Sequence, residues 1–500
     1  MSAELNQAPL QWKPYQKVAF RIAFIFFIIM TIPESPQWYT QVFSFDWTSL
    51  HYRDLYDIAR FQPSFSRSPG YYGYYEWLII LVIAIIGGVI WSLIESKRKE
   101  YNVLYYWLTV IIRYRAAIGI IGFAFTKVLP VQMPYPSTGI LNTNFGDLTA
   151  QKIYWLSISI VPWYQVFAGI VELSAGVLLL FRKTATLGAI ILFGALGDIV
   201  YVNFAYDGGV HVYSSYFVLF AAFLIAKELP KIYSLFIKEQ YTVPVNFNLH
   251  FKERWLNITR YTLKFVVIFL FLFVFFYIQL NNFLYDPYKQ PAAKGVSKLR
   301  GYYQVSEFRI NNQLIPGSPQ DSVRWQDVTF ENWTTLTYKQ NKAVPLDLSN
   351  GGGSPMRDIN RTFEIAGVGG GRRVFYYEAD TVNQILYLLD KYRAADGNSS
   401  RQSKKTAKPK ISYNNFLTEE QEYHQVDPAG LTGRRLKGIK TERLRESERK
   451  RMVLNYATTD GKKVTLKGIN DEKDSIYIVL DRVDKVYALK PSTLNAGKYQ

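Results

Sequence analysis

The 500-residue sequence predicts an α-helical membrane bundle of about seven transmembrane helices, followed by a C-terminal all-β domain, barrel or sandwich, outside the cytoplasm. Three observations predict it. Residues 1–285 are rich in Phe, Ile, Leu and Trp while the remainder is polar and basic. Seven stretches of the first part are apolar over the roughly 20 residues that a bilayer crossing requires. Segments after residue 286 alternate apolar and polar side chains, the pattern of half-buried strands.

The expected spans are about 17–33, 77–96, 103–129, 156–181, 185–205, 210–226 and 262–281. The first, KVAFRIAFIFFIIMTIP, lacks a small-residue cleavage site and runs into a Trp-rich loop, so it reads as a retained span. Basic residues of short loops set orientation. Lys13 and Lys17 precede span one, SKRKE (96–100) follows span two, RKT (182–184) follows span four, and Lys227, Lys231, Lys238, Lys252, Arg254, Arg260 and Lys264 separate spans six and seven. The opposite loops hold only Arg53, Arg60, Arg67 and Lys152. This asymmetry predicts a cytoplasmic N-terminus and a soluble domain at 286–500 on the opposite side of the membrane.

In that domain the expected strands lie in 302–310, 323–338, 373–378, 451–468 and 475–489, with Asp460-Gly461 as a candidate two-residue hairpin turn. A basic, polar insertion at about 392–450 reads as solvated and partly disordered, with at most one exposed helix; a contact surface for anionic lipid or an envelope protein is the sharper alternative. The runs SNGGGSP (349–355) and AGVGGGRR (366–373) read as turns. Neither supplies the Lys-Ser/Thr pair of a phosphate loop, and Arg372 occupies the sixth position of the second run.

Span three carries charges that hydrocarbon disfavours. Arg113 and Arg115 fall near its middle, where insertion costs roughly 2.5 to 3.5 kcal/mol. Lys127 returns to within about 40° of Arg113 on a helix of about 100° per residue, whereas Arg115 projects about 200° away. Glu172 and Asp198 lie near the centres of the next two spans, complementary in sign and depth, and Gln165 shares the face of Glu172. Arg113, Arg115, Lys127, Glu172 and Asp198 therefore form the expected intramembrane polar cluster. Asn203, Asp207 and His211 form a second expected group at the outer end. Buried ion pairs that fix helix register are one reading, aided by Gly169, Ala175, Gly176, Gly188, Gly194 and Gly197. A cavity for a quinone-like or lipid headgroup, or a proton relay, is the other.

Composition removes several classes. With no cysteine there are no disulfides, thiolate metal sites or dithiol relays. No metal site is expected, because His211 is the only histidine in or bordering spans three to six. The formal charge of +18 points to anionic lipid or an acidic partner, and no nucleic-acid partner is expected for a basic domain outside the cytoplasm.

The stretch RYRAAIGIIGFAFTKVLPVQMPYP, followed by FGDLT and by WYQVFAGIVELSAGVLLLFRKTATLGAIILFGALGDIVYVNFAYD, resembles DoxX-like membrane proteins, particularly the larger form of Bacteroidota. The resemblance covers most of the chain and is strongest over 102–226. It implies that Lys127 and Glu172 are the characteristic polar positions; YDGGVHVYSSYF departs from the family pattern, with Gly-Gly and His211 in place of an apolar-Pro pair and a basic residue. The family name derives from a thiosulfate:quinone oxidoreductase subunit.

The expected function is a non-catalytic inner-membrane subunit or scaffold of a cell-envelope complex, with the bilayer and other envelope membrane proteins as partners and no predicted cofactor. The alternative is a membrane enzyme or carrier acting on a quinone or lipid through the Arg/Lys/Glu/Asp cluster. No catalytic residue is assigned.

Overall fold

The computed structural model describes residues 12–63, 73–242, 249, 251, 253–352, 356–392, 425–442 and 449–499. They divide into two units: one from Met1–Trp47, Tyr52–Val128 and Phe167–Ile278, the other from Thr48–His51, Leu129–Val166 and Gln279–Gln500. The expected boundary at 285/286 is thus redrawn. Segments between the apolar helices join the C-terminal unit: the β domain hydrogen-bonds to the backbone of 138–142, and Ser49 and His51 contact Gly433 and Asp286 through their side chains.

Among the described residues, six helices are long and apolar enough to cross a membrane, and a seventh if one bent pair is counted as a single span. They are α1 (Pro14–Thr31), α4 (Gly73–Ile94), α5 (Asn102–Val128), α8 (Pro162–Leu180), α9 (Ala185–Ala205) and α12 (Arg254–Tyr285). The bent pair is α10 (His211–Ala226) and α11 (Leu229–Phe236), which meet at 68°. Two amphipathic helices, α2 (Pro36–Phe43) and α3 (Tyr52–Ala59), follow α1.

Two helices differ from expectation. The span placed at 156–181 begins only at Pro162, after a separate α7 (Ala150–Ser159); proline lacks the N–H that a continuous helix needs and is pre-set for a first helical turn. The last span is 32 residues long and takes in Arg254 and Arg260, which precede the expected span at 262–281. Its turn Phe269–Val274 is π-helical.

α5 is the most enclosed of the long helices, packed by α1, α3 and α10. α4 instead exposes Leu78, Ile79, Val82, Ile86, Ile90 and Leu93. Glycines set the closest approaches. A Cβ on Gly169 would stand 2.6 Å from the Val128 nitrogen, and one on Gly176 would stand 2.7 Å from Ile121. Gly188 likewise meets the Ala175 carbonyl, whereas Gly194 and Gly197 face open space and take no part in packing. Gly169→Leu is therefore expected to force α5 and α8 apart at a cost of about 1–3 kcal/mol, read as a lowered unfolding temperature in detergent; Gly194→Leu is the matched control and should leave it unchanged.

In the second unit, nine antiparallel strands run β1 (Gly301–Ile310), β2 (Gln313–Leu314), β3 (Asp327–Phe330), β4 (Thr335–Lys339), β5 (Arg372–Asp380), β6 (Ile385–Asp390), β7 (Arg451–Ala457), β8 (Lys463–Ile469) and β9 (Ser475–Arg482). β1 also pairs with β9, from Tyr303↔Arg482 to Ile310↔Ile476, and this closes a barrel rather than a sandwich. β2 is a two-residue flap on β1, so the closed wall has eight strands. Tyr303, Phe308, Val328, Leu336, Phe375, Leu388, Leu454, Leu466 and Ile478 fill the interior.

β6, in the run ILYLLD, is an unexpected strand: its sequence is apolar with little alternation, with Ile385 and Tyr387 half-buried and the other four residues buried. The two-residue hairpin lies at Asn311-Asn312, both with positive φ (50° and 66°), between Ile310 and Gln313. At the expected hairpin only Gly461 has positive φ, within a longer connection closed by Thr458, whose hydroxyl donates to the Lys463 carbonyl. Both Gly-rich runs are turns in the described residues, with positive φ at Gly351, Gly367, Gly370 and Gly371. Most of the 392–450 insertion, with Arg67 and Lys252, lies outside the described residues. Its described part is a short turn at Pro428–Gly430 and α13 (Gly433–Glu442).

Candidate functional site

α5 delivers three basic side chains to three different partners. Lys127 is ion-paired with Glu172 of α8, both buried; the sequence grouped the two within a cluster of five without pairing them. The close approach at Gly169 brings the two chains within reach: a Cβ there would meet the Lys127 Cβ at 2.8 Å. The second carboxylate oxygen of Glu172 is buried with no hydrogen-bond partner among the described residues.

Arg113 joins neither of them. Its Nε donates to the Leu179 carbonyl at 2.9 Å, so a guanidinium caps the C-terminal end of α8, where the helix dipole is negative. Arg115, on the other side of α5, donates to the Phe61 carbonyl and lies between the rings of Phe61 and Tyr216, 4.0 and 5.0 Å from their centroids. Gly119 makes room for it, since a Cβ there would meet both Arg115 and Phe217. Asp198 is exposed on α9 and forms no salt bridge among the described residues. The expected cluster of five is therefore one ion pair, two separately capped arginines and one outlying carboxylate. Depth along the span, the basis of the expectation, does not specify which face of α9 turns inward.

The outer-end group also resolves into local contacts. The Asn203 amide donates to the Ile199 carbonyl one turn back. His211 is buried between the rings of Phe204 (4.4 Å) and Tyr74 (5.6 Å), and its Nδ1 lies 3.4 Å from the Tyr74 hydroxyl. Asp207 has positive φ at an exposed turn.

The second unit holds an ionic network that sequence reasoning missed. Asp286 accepts from Arg361 and from Arg435, and its other oxygen lies 3.3 Å from His51 Nε2. Arg435 also donates to Asp358 at 2.8 Å, and Asp358 in turn accepts from the Ala293 N–H. Burial alone would raise the Asp286 carboxyl, but Arg361 and Arg435, with help from His51, hold it well below the usual carboxylate range. The insertion's helix is thus no solvated appendage: Arg435 is buried. A lone Asp after a helix and two arginines 74 positions apart carry no local signature.

The barrel also captures the segment 138–152. Glu331 accepts from the backbone N–H groups of Thr138 and Gly139 at 2.9 and 2.7 Å. Arg372, in the Gly-rich run, pairs with Asp327 and donates to the Asn142 carbonyl at 2.6 Å. Lys152 donates to the Phe363 carbonyl from a buried position, and burial pushes its ammonium down to about 7. Lys289 lies 3.9 Å over the Trp155 ring, its ammonium pushed well below the usual range by burial and by Lys152. No group of three or more His, Cys, Asp or Glu side chains able to hold a metal ion occurs among the described residues.

Burial raises the Glu331 carboxyl to about 7 from its ordinary 4.5, against the two backbone donors. A raised acid binds its proton more tightly folded than unfolded, so the associated stability is full below about pH 4.5 and is lost as pH rises towards 7. Glu331→Gln should remove this component, on the order of 3 kcal/mol at most. The check is the unfolding free energy of both proteins from pH 4.5 to 7.5; parallel curves would show Glu331 already ionised at low pH.

No protein-family model matches the chain, and no solved structure gives a significant match. Over 105 residues it is 32% identical to the uncharacterized protein YwoB of Bacillus subtilis (strain 168), an alignment covering 19% of this chain and 68% of that protein.

Proposed function

We propose that this chain, which belongs over the aligned stretch to the same family as YwoB, is a non-catalytic, DoxX-like inner-membrane subunit whose helices anchor a periplasmic β-barrel in a cell-envelope complex. The observation that carries this reading is where the α5 cations go. Arg113 caps α8, Arg115 is held by the Phe61 carbonyl and two rings, and Lys127 is neutralised by Glu172. Arg113 and Lys127 each fix α5 against α8, whereas Arg115 holds the segment after α3, its Nε and Nη1 buried and without a hydrogen-bond partner among the described residues. The row of exposed Ile, Leu and Val on α4 supports the membrane setting, since water disfavours so continuous an apolar face. The basic-residue asymmetry supports the cytoplasmic N-terminus.

One observation favours a second reading, a carrier or enzyme for a quinone or lipid headgroup: the buried, unpartnered oxygen of Glu172 is an acceptor that a ligand hydroxyl fits. Native mass spectrometry of the protein gently extracted from its own membranes separates the two. A stoichiometric protein partner supports the subunit; a bound quinone or lipid with no protein partner overturns it in favour of the carrier. A reporter fused after Asp286 tests orientation, and cytoplasmic activity of that reporter would refute the periplasmic placement.

A further inference from the structure

We propose that one end of the β-barrel binds a small amphipathic anion, an apolar chain carrying a single carboxylate, as a fatty acid does. The topology gathers the site. In an antiparallel barrel the ends of β1, β4, β6 and β8 lie beside the starts of β3, β5, β7 and β9, and residues at the ends of β1, β4, β6 and β8 and about the starts of β3, β5 and β7, with loop residues 342–345 and Ile365, line a cavity of about 450 Å³. That volume lies within the range of about 300–1,000 Å³ typical of small-molecule sites.

The lining has two characters. Phe308, Ile310, Val323, Val344, Pro345 and Ile365 supply an apolar wall. Around it stand five basic side chains, Lys342, Arg372, Arg373, Arg449 and Lys450, against three acidic ones, Asp390, Asp471 and Glu472. Arg373 is fixed by Asp390 (2.7 Å) and Asp471 (2.9 Å), and Lys450 reaches Asp471 at 3.3 Å, so the basic groups are held in place. Arg372 is neutralised by Asp327, outside the lining, which leaves four basic groups against three acidic ones; the excess is cationic, which selects a negative head.

Trp325 and Tyr338 also line the cavity, stacked with centroids 3.8 Å apart and planes 9° apart. Both side chains are almost wholly buried, and each carries one hydrogen-bond donor, the indole N–H and the phenolic hydroxyl. Two donors on fixed rings beside a cationic rim match a carboxylate. The observations favour a free acyl chain over a peptide C-terminus. Every strand around the cavity is already paired on both sides, so an extended peptide finds no free edge to join.

The test uses the full chain in nanodiscs of zwitterionic lipid, photolabelled with a diazirine-bearing dodecanoate and mapped by peptide mass spectrometry. Label is expected on peptides spanning 323–325 and 338–345, removed by excess dodecanoate and retained with dodecyltrimethylammonium. Val323→Trp fills the cavity from a side chain that is 43% exposed, so the fold is kept. This variant and the double variant Lys342→Glu/Lys450→Glu should each lower that label by about tenfold or more, while label on the helical spans, an internal control, stays constant. Label confined to the helical spans, equal competition by the cationic amphiphile, or undiminished label in Val323→Trp overturns the proposal. Competition by an apolar peptide with a free C-terminus but not by dodecanoate overturns the fatty-acid source.

Discussion

Replacing Asp286 by asparagine is expected to destabilise the β-barrel unit by about 3–5 kcal/mol, the cost of leaving buried guanidinium charge without its counter-ion. Asp286 is the shared acceptor of Arg361 and Arg435, both almost fully buried. An asparagine keeps the shape and one acceptor oxygen but neutralises the charge that offsets two cations. The measurement is thermal unfolding of the full chain, together with limited proteolysis to follow release of α13. The double variant Asp286→Asn/Arg435→Met should recover part of the loss, because the orphaned cation leaves with its partner. A loss under about 1 kcal/mol would mean that water, not Asp286, solvates these guanidiniums.

The Lys127–Glu172 pair gives the second large effect. Lys127→Met and Glu172→Gln are each expected to cost about 3–5 kcal/mol, and the double variant less than the sum, because each single change strands a buried charge. A cycle measured by thermal unfolding in detergent reads the coupling directly. The same variants bear on function. A subunit whose pair serves packing keeps its protein partner in the double variant; a carrier that uses the Glu172 carboxylate loses its bound ligand in Glu172→Gln even where the fold survives.

Opposite linkage signs distinguish the buried groups of the β-barrel unit. Glu331, raised to about 7, lowers stability as pH rises above 4.5. Lys152, lowered to about 7 from 10.5, raises it as pH climbs from about 7 to 10.5, because the unfolded chain then holds the extra proton. Both place their cost near neutrality.

The sequence by itself determined the helices and most of the strands. Long apolar runs have one stable backbone state when no water is available to their peptide groups, so span positions follow from composition; only α7 and α8, split at Pro162, and the extended α12 moved substantially. Alternation marked most strands because one face of each meets the barrel interior, and it failed for β6, whose run ILYLLD is apolar at successive positions up to Asp390. Lys127 and Glu172 were legible because each is a charge isolated in an apolar run.

Only the tertiary structure decided which charges meet. Arg113 and Asp198 match in depth, yet one caps a helix end and the other is exposed, since the rotation of each helix is set by packing at Gly169, Gly176 and Gly188 and not by its own charges. Barrel closure by β1 and β9, the Asp286 network and the cavity at the barrel end all join residues far apart in the chain. Periodicity reports the neighbours of a residue along its own element, whereas these contacts depend on which elements become neighbours when the barrel closes.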